Sequence, residues 1–224
     1  MPRRPLLEPR NYRLDDLLRR PLLPEIAWGS GGGDVSVAGA SGWGFDGAAT
    51  FRGAVIATPL SLSLWVEGSP VFPDEGVYRP SHVTVNARET ETGLQISEDK
   101  FVSENDVLVS VLSLRNPGEW SVETNIRVQW GIQRGEHTDA DGNPFFASRF
   151  APNMQDRRFT LASGGRTRLV FTLALATDDR YAQSPGDTAR RRAEAYAHDL
   201  SATVSHADAF QAWADKHLPR FDCP

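Results

Sequence analysis

Residues 94–130 constrain the fold more than any other part of the chain. Leu94 and Ile96 share one face of a first extended segment. Val107, Val109 and Val111 point one way in a second, while Leu108, Leu112 and Leu114 point the other. In a third, Val122, Ile126, Val128 and Trp130 line one face and Glu123, Arg127 and Gln129 alternate with them. Side chains on a strand alternate with period two, so the pattern calls for extended chain and not helix. The middle strand is apolar on both faces and must be covered on both sides. Ser103-Glu104-Asn105-Asp106 and Asn116-Pro117-Gly118 suit tight turns. Together these features predict a three-stranded meander.

The same alternation recurs on either side of this segment. Residues 35–38, 49–57, 60–67, 81–89, 157–162 and 166–176 read as strands, with Leu60, Leu62, Leu64 and Val66 on one face of the third and Val83 and Val85 inward in the fourth. The count is roughly nine or ten strands separated by short turns. No helix long enough for a βαβ crossover lies between them, which excludes a parallel α/β sheet. The expected fold is mainly β, an antiparallel two-sheet sandwich or supersandwich with a C-terminal helical linker of one or two helices.

The flanks differ from this body. Residues 12–20 can make one or two helical turns with Leu14, Leu17 and Leu18 as an apolar stripe, stopped by Pro21 and Pro24. Gly29-Ser30-Gly31-Gly32-Gly33 reads as a flexible connector; it lacks the Gly-Lys-Ser/Thr ending of a phosphate loop. After Thr177, Ser184-Pro185-Gly186-Asp187 sets up a helix. Ala189, Ala193, Tyr196 and Leu200 repeat along it, and Arg190 and Glu194 form an i,i+4 pair. A second helix is expected to begin at Ser205, with Phe210, Trp213 and His217 or Leu218 on its apolar side. The division is therefore an arm and connector over 1–33, a sandwich over 34–177 and a helical linker over 178–224.

The net charge of −5 gives no reason to expect a nucleic acid or an anionic membrane as partner. With one cysteine, Cys223, no intrachain disulfide can form, which fits a reducing compartment. The basic N-terminus lacks the apolar core of a secretory signal, and no run approaches the ~20 apolar residues that cross a bilayer. A cytoplasmic location is the expectation.

Chemistry is sparse. None of the five histidines (82, 137, 198, 206 and 217) sits beside a Gly-x-Ser-x-Gly elbow, and no pair has zinc spacing. Asp139-Ala140-Asp141-Gly142-Asn143 resembles the start of a calcium loop but lacks the later bidentate Glu, so an Asx-type turn is the other reading. Asp46, Asp74, Glu75, Glu98, Asp99 and Glu104 are placed on turns and are candidates for paired acid–base work. Trp43, Phe45 and Asp46 lie in a small-residue loop. There an aromatic face could stack on sugar C–H groups beside a carboxylate, or the rings could staple two sheets together. No catalytic residue, cofactor or metal is assigned.

Several stretches in combination carry a resemblance: Gly42-Trp43-Gly44-Phe45-Asp46-Gly47-Ala48; Ile56-Ala57-Thr58-Pro59-Leu60; Lys100-Phe101-Val102 with Asp106-Val107-Leu108-Val109-Ser110-Val111; and Leu114-Arg115-Asn116-Pro117-Gly118. With the closing 213–223 segment, they resemble the N-terminal β-sandwich domain in front of (α/α)6-barrel glycoside hydrolases of the trehalase-like and processing-α-glucosidase-like group. The resemblance covers the chain from about residue 11 onward. It implies a non-catalytic accessory domain that supports the barrel and closes one side of its cleft, with a truncation at Pro224 and Phe210 and Trp213 as interdomain contacts. The implied partners are the C-terminal (α/α)6 catalytic domain of the same polypeptide and a carbohydrate substrate. A free-standing carbohydrate-binding sandwich is the alternative.

Overall fold

The computed structural model describes residues 13–22, 27–29, 33–39, 41–149, 155–177 and 184–218. The basic N-terminal run, the glycines of the connector from Gly31 to Gly32 and the closing segment with Cys223 lie outside them.

All strand pairs among the described residues are antiparallel. The largest sheet has eight strands, in the order β1 (Arg20–Pro21), β9 (Glu75–Tyr78), β10 (Val83–Arg88), β11 (Gln95–Val102), β12 (Val107–Arg115), β17 (Arg166–Thr177), β15 (Pro144–Arg149) and β14 (Gly135–Thr138). A second sheet runs β16 (Arg157–Leu161), β13 (Val122–Gln129), β7 (Leu60–Val66) and β4 (Gly44–Phe45), with β8 (Ser69–Val71) paired to β7. A third comprises β2 (Ala27–Gly29), β3 (Val35–Ala38), β5 (Ala48–Phe51) and β6 (Ala54–Ala57). The fold is mainly β, as the alternation requires.

The doubly apolar strand β12 is covered on both faces. Leu108, Ser110, Leu112 and Leu114 are buried on the side of the other sheets, and Val107, Val109 and Val111 on the opposite side. That second side lies under two helices, α2 (Pro185–Ala197) and α3 (Ala202–His217). Thr172, the cross-strand partner of Val109, donates its hydroxyl to Ala193 O at 2.9 Å. Phe101, the other partner of Val109, packs on Tyr196 and stacks on His206. On β7, Leu60, Leu62, Leu64 and Val66 are all buried, each worth about 1.5–3 kcal/mol when fully removed from water.

The meander is corrected. β11 and β12 do form a hairpin, but β12 pairs next with β17, and β13 crosses into the second sheet between β16 and β7. Asn116 holds the crossing. Its side-chain amide lies 2.7, 3.0 and 3.1 Å from the carbonyls of Trp120, Leu161 and Ala162, and its Oδ1 accepts from Gly118 N. The stretch 49–57 is likewise a hairpin and not one strand. Arg52 and Gly53 both have positive φ (48° and 78°), the geometry of a two-residue turn matched to strand twist. Two strands of the expected arm join the sheets, β1 on β9 and β2 on β3.

The helices also differ in detail. Ser184 accepts from Asp187 N and caps α2, and Arg190 lies 3.8 Å from Glu194, both as read from sequence. However, α2 ends at Ala197, and Leu200 beyond it is exposed. The next helix, α3, begins at Ala202, ahead of Ser205, and Ser201 occupies its N-cap. The short helix α1 (Leu14–Leu17) turns Asp15 inward, leaving Leu17 and Leu18 exposed, so the expected leucine stripe does not form.

Candidate functional site

The loop around Trp43 is built into the interior. Its glycines let backbone pass where a side chain could not. Gly44 has φ +71°, and a Cβ there would sit 2.5 Å from Leu60 O. The backbone of Gly44 meets a buried ion pair on β11: both carboxylate oxygens of Glu98 accept from Gly44 N at 2.9 Å. Ser110 Oγ donates to Glu98, and Lys100 Nζ donates to the carbonyls of Gly42 and of Gly44, the latter at 2.6 Å. Glu98 and Lys100 lie 3.7 Å apart, both fully buried. Burial pushes the Glu98 carboxyl up and the Lys100 ammonium down, and their mutual attraction opposes both shifts. The donors around Glu98 and the acceptors around Lys100 are those that a carboxylate and an ammonium require.

This arrangement corrects the sugar-contact expectation. Trp43 is 3% exposed and spends its indole N–H on Val71 O at 2.8 Å; Phe45 is fully buried. Neither ring offers a face to a ligand. Asp46 is exposed, but both its oxygens accept from Gly42 N at 3.1 Å. The residues join the sheets as a staple.

The candidate acids do not converge. Glu98 and Asp99 are on a strand and not on turns; Glu98 belongs to the buried pair, and Asp99 accepts from Thr84 Oγ1 at 2.8 Å. Asp74 and Glu75 lie on the rim of an open groove, while Glu104 lines a separate hollow against α3. In the 139–143 turn, Asp139 Oδ1 accepts from Asp141 N and Asn143 N, and Oδ2 from Asn143 Nδ2, so an Asx turn occupies this carboxylate.

One cluster escaped the sequence reading because its members are far apart in the chain. Asp15 of α1 accepts from Ser81 N at 3.0 Å and from Ser81 Oγ at 2.5 Å, and Ser81 Oγ lies 2.7 Å from His82 Nδ1. In a nucleophilic triad the histidine stands between serine and carboxylate; here the serine stands between them, and it is buried. The cluster is a clamp between α1 and the turn before β10. Close by, His206 stacks on Phe101 with ring centroids 4.2 Å apart. Burial lowers the pKa of His82, and that of His206 to about 4.

The other expected contact, on α3, presents a different picture. Its buried positions are Ala202, Thr203, Ala207 and Ala214, whereas Trp213 is 47% exposed and Leu218 43%. Phe210, Trp213 and His217 form a row of rings, with centroids 6.0 and 5.3 Å apart along it. A hollow of about 200 Å³ opens beside the row, floored by Tyr196, His206 and the Pro80-Ser81 turn.

No family model matches the chain, and no curated protein matches it. Among solved structures, one likeness is to a chain described as "Putative kojibiose phosphorylase from human microbiome", with a TM-score of 0.48 and 9% identity. It covers 74% of this chain and 28% of that one, so the chain here matches little more than a quarter of that protein's length.

Proposed function

We propose that this sandwich is the non-catalytic N-terminal accessory domain of a carbohydrate-active enzyme, bearing on an (α/α)6 catalytic barrel through the ring row of α3 and closing one side of its substrate cleft. The observation that carries this reading is the division of α3. The helix buries Ala202, Thr203, Ala207 and Ala214 and stacks His206 on the sandwich, while Trp213 and His217 stay exposed beside a half-buried Phe210, an aromatic row with the composition of an interface anchor. The resemblance of the 42–60 and 100–118 motifs to sandwich domains of that enzyme group supplies the identity of the partner. The dispersed carboxylates agree with a supporting role, because glycoside hydrolysis needs two of them across one cleft.

The test is to read the coding frame onward from codon 224, express the product, and compare it with the 224-residue chain on α-linked glucosides. The expected result is a following run of paired helices, turnover by the long product alone, and loss of that turnover when Phe210 and Trp213 are both changed to Ala. Turnover by the 224-residue chain, abolished by one Asp or Glu substitution, would contradict it. The alternative of a free-standing glycan-binding module through Trp43 loses its ring, which is buried.

A further inference from the structure

The helices leave part of the outer face of the eight-stranded sheet open, where a groove of about 740 Å³ runs across β10, β11, β12 and β17. Strand register places Arg88, Gln95, Arg115 and Arg166 in one row across it. Asn86, Ser97, Ser113 and Arg168 make the adjacent row on the same face. Strands lie about 4.8 Å apart, so each row spans about 14 Å.

The arginines are the anomaly. Arg115 and Arg166 are direct cross-strand partners, and like charges in that position destabilise a sheet. Seven guanidinium groups elsewhere are matched, Arg13, Arg52, Arg158 and Arg190 to carboxylates and Arg20, Arg127 and Arg149 to aromatic faces, and no other part of the described surface gathers four in one hollow. Among the described residues, Arg88, Arg115 and Arg166 form no ion pair, and Arg168 donates only to Ser113 Oγ and Leu200 O. Four exposed guanidinium groups thus share one hollow in a chain of net charge −5. The opposing acids, Asp74 and Glu75, stand at the far rim beyond β10.

We propose that this groove binds an anionic carbohydrate, with the carboxylate or phosphate groups of the sugar held between Arg115, Arg166 and Arg168. A planar guanidinium takes an oxyanion through two parallel N–H donors, which suits either group. Bound anion also relieves the Arg115–Arg166 repulsion. The amides of Asn86 and Gln95, the hydroxyls of Ser97 and Ser113, and the rim carboxylates supply donors and acceptors for neutral hydroxyls along the rest of the row. The site is on a different face element from the α3 ring row, so its test is independent of the docking test.

The test is calorimetric titration of the 224-residue chain with trigalacturonic acid, glucose 6-phosphate and maltotriose at about 0.02 M and 0.15 M salt. At least one charged sugar binds, more weakly at the higher salt, and maltotriose does not; which charged sugar binds identifies the oxyanion. Arg166→Gln weakens that binding by about tenfold or more, whereas Arg166→Lys weakens it less. The melting temperature of unliganded Arg166→Gln stays equal or rises, because a like-charge pair is removed. Failure of both charged sugars to bind, or equal binding of maltotriose with no effect of Arg166→Gln, overturns the proposal.

Discussion

Two regions of this molecule each carry a tryptophan beside a phenylalanine, and the fold treats them in opposite ways. In the 42–46 loop, Trp43 and Phe45 lie inside, tied down by the Glu98–Lys100 pair and by the Val71 carbonyl. On α3, alanines go inside, Phe210 is half-buried and Trp213 stays at the surface. Ring count does not separate the two; what surrounds the rings does. Glycines at 42 and 44 permit backbone to approach β7 and β11 closely enough to bury what lies between them. On α3 the buried positions are the small Ala202, Thr203, Ala207 and Ala214 together with the stacked His206 ring, and Trp213 is lifted away.

The comparison is broken most forcefully at the buried pair. Lys100→Met or Glu98→Gln leaves one partner without its counter-charge, and urea unfolding should show a loss of about 3–5 kcal/mol. The double change to Glu98→Leu with Lys100→Met should recover much of it, since well-packed apolar replacements of buried pairs are near neutral. Next in size is Gly44→Ala, which combines a left-handed backbone with a clash on Leu60 O. It should cost about 2 kcal/mol or more.

The seat of α3 should respond to acid. The pKa of His206 is about 4 in the fold against an ordinary 6.5. The folded state therefore resists a proton that the unfolded state accepts, so this contribution is complete above pH 6.5 and is lost as pH falls toward 4. The loss is on the order of 3 kcal/mol. His82 shifts in the same direction and adds to it. In thermal melts at stepped pH, His206→Gln should flatten this limb relative to the parent chain. Smallest of all, Val204→Ala, on an α3 side chain 61% exposed, should change stability by less than about 0.5 kcal/mol.

Much of the sheet was legible from sequence because strand alternation is local. β7, β11, β12 and β17 sit where their periodic side chains place them, and the two-sided apolarity of β12 was explained by α2 and α3 above it. Sheet membership was not legible. Asn116-Pro117-Gly118 reads equally well as a hairpin turn and as a crossing, and only the carbonyls of Leu161 and Ala162, about 45 residues away, decide for the crossing. The staple was half legible: the small residues flanking Trp43 were visible, but its fastening, Glu98 with Lys100, passes for an ordinary alternating pair on a strand. On α3 the apolar side carrying Trp213 was legible as a face left for contact, but the side that seats the helix, with Ala202, Ala207, Ala214 and His206, carries too little bulk or hydrophobicity to stand out in the sequence. The Asp15–Ser81 clamp had no sequence signal, being 66 positions apart.

The central claim is that Trp43 holds the fold while Trp213 stands outside it. Equilibrium urea unfolding of Trp43→Ala and Trp213→Ala, measured side by side with the parent chain, tests it most directly. The account predicts a loss of about 3–5 kcal/mol for the first and less than about 0.5 kcal/mol for the second. Equal losses, or a larger loss at Trp213, would contradict it.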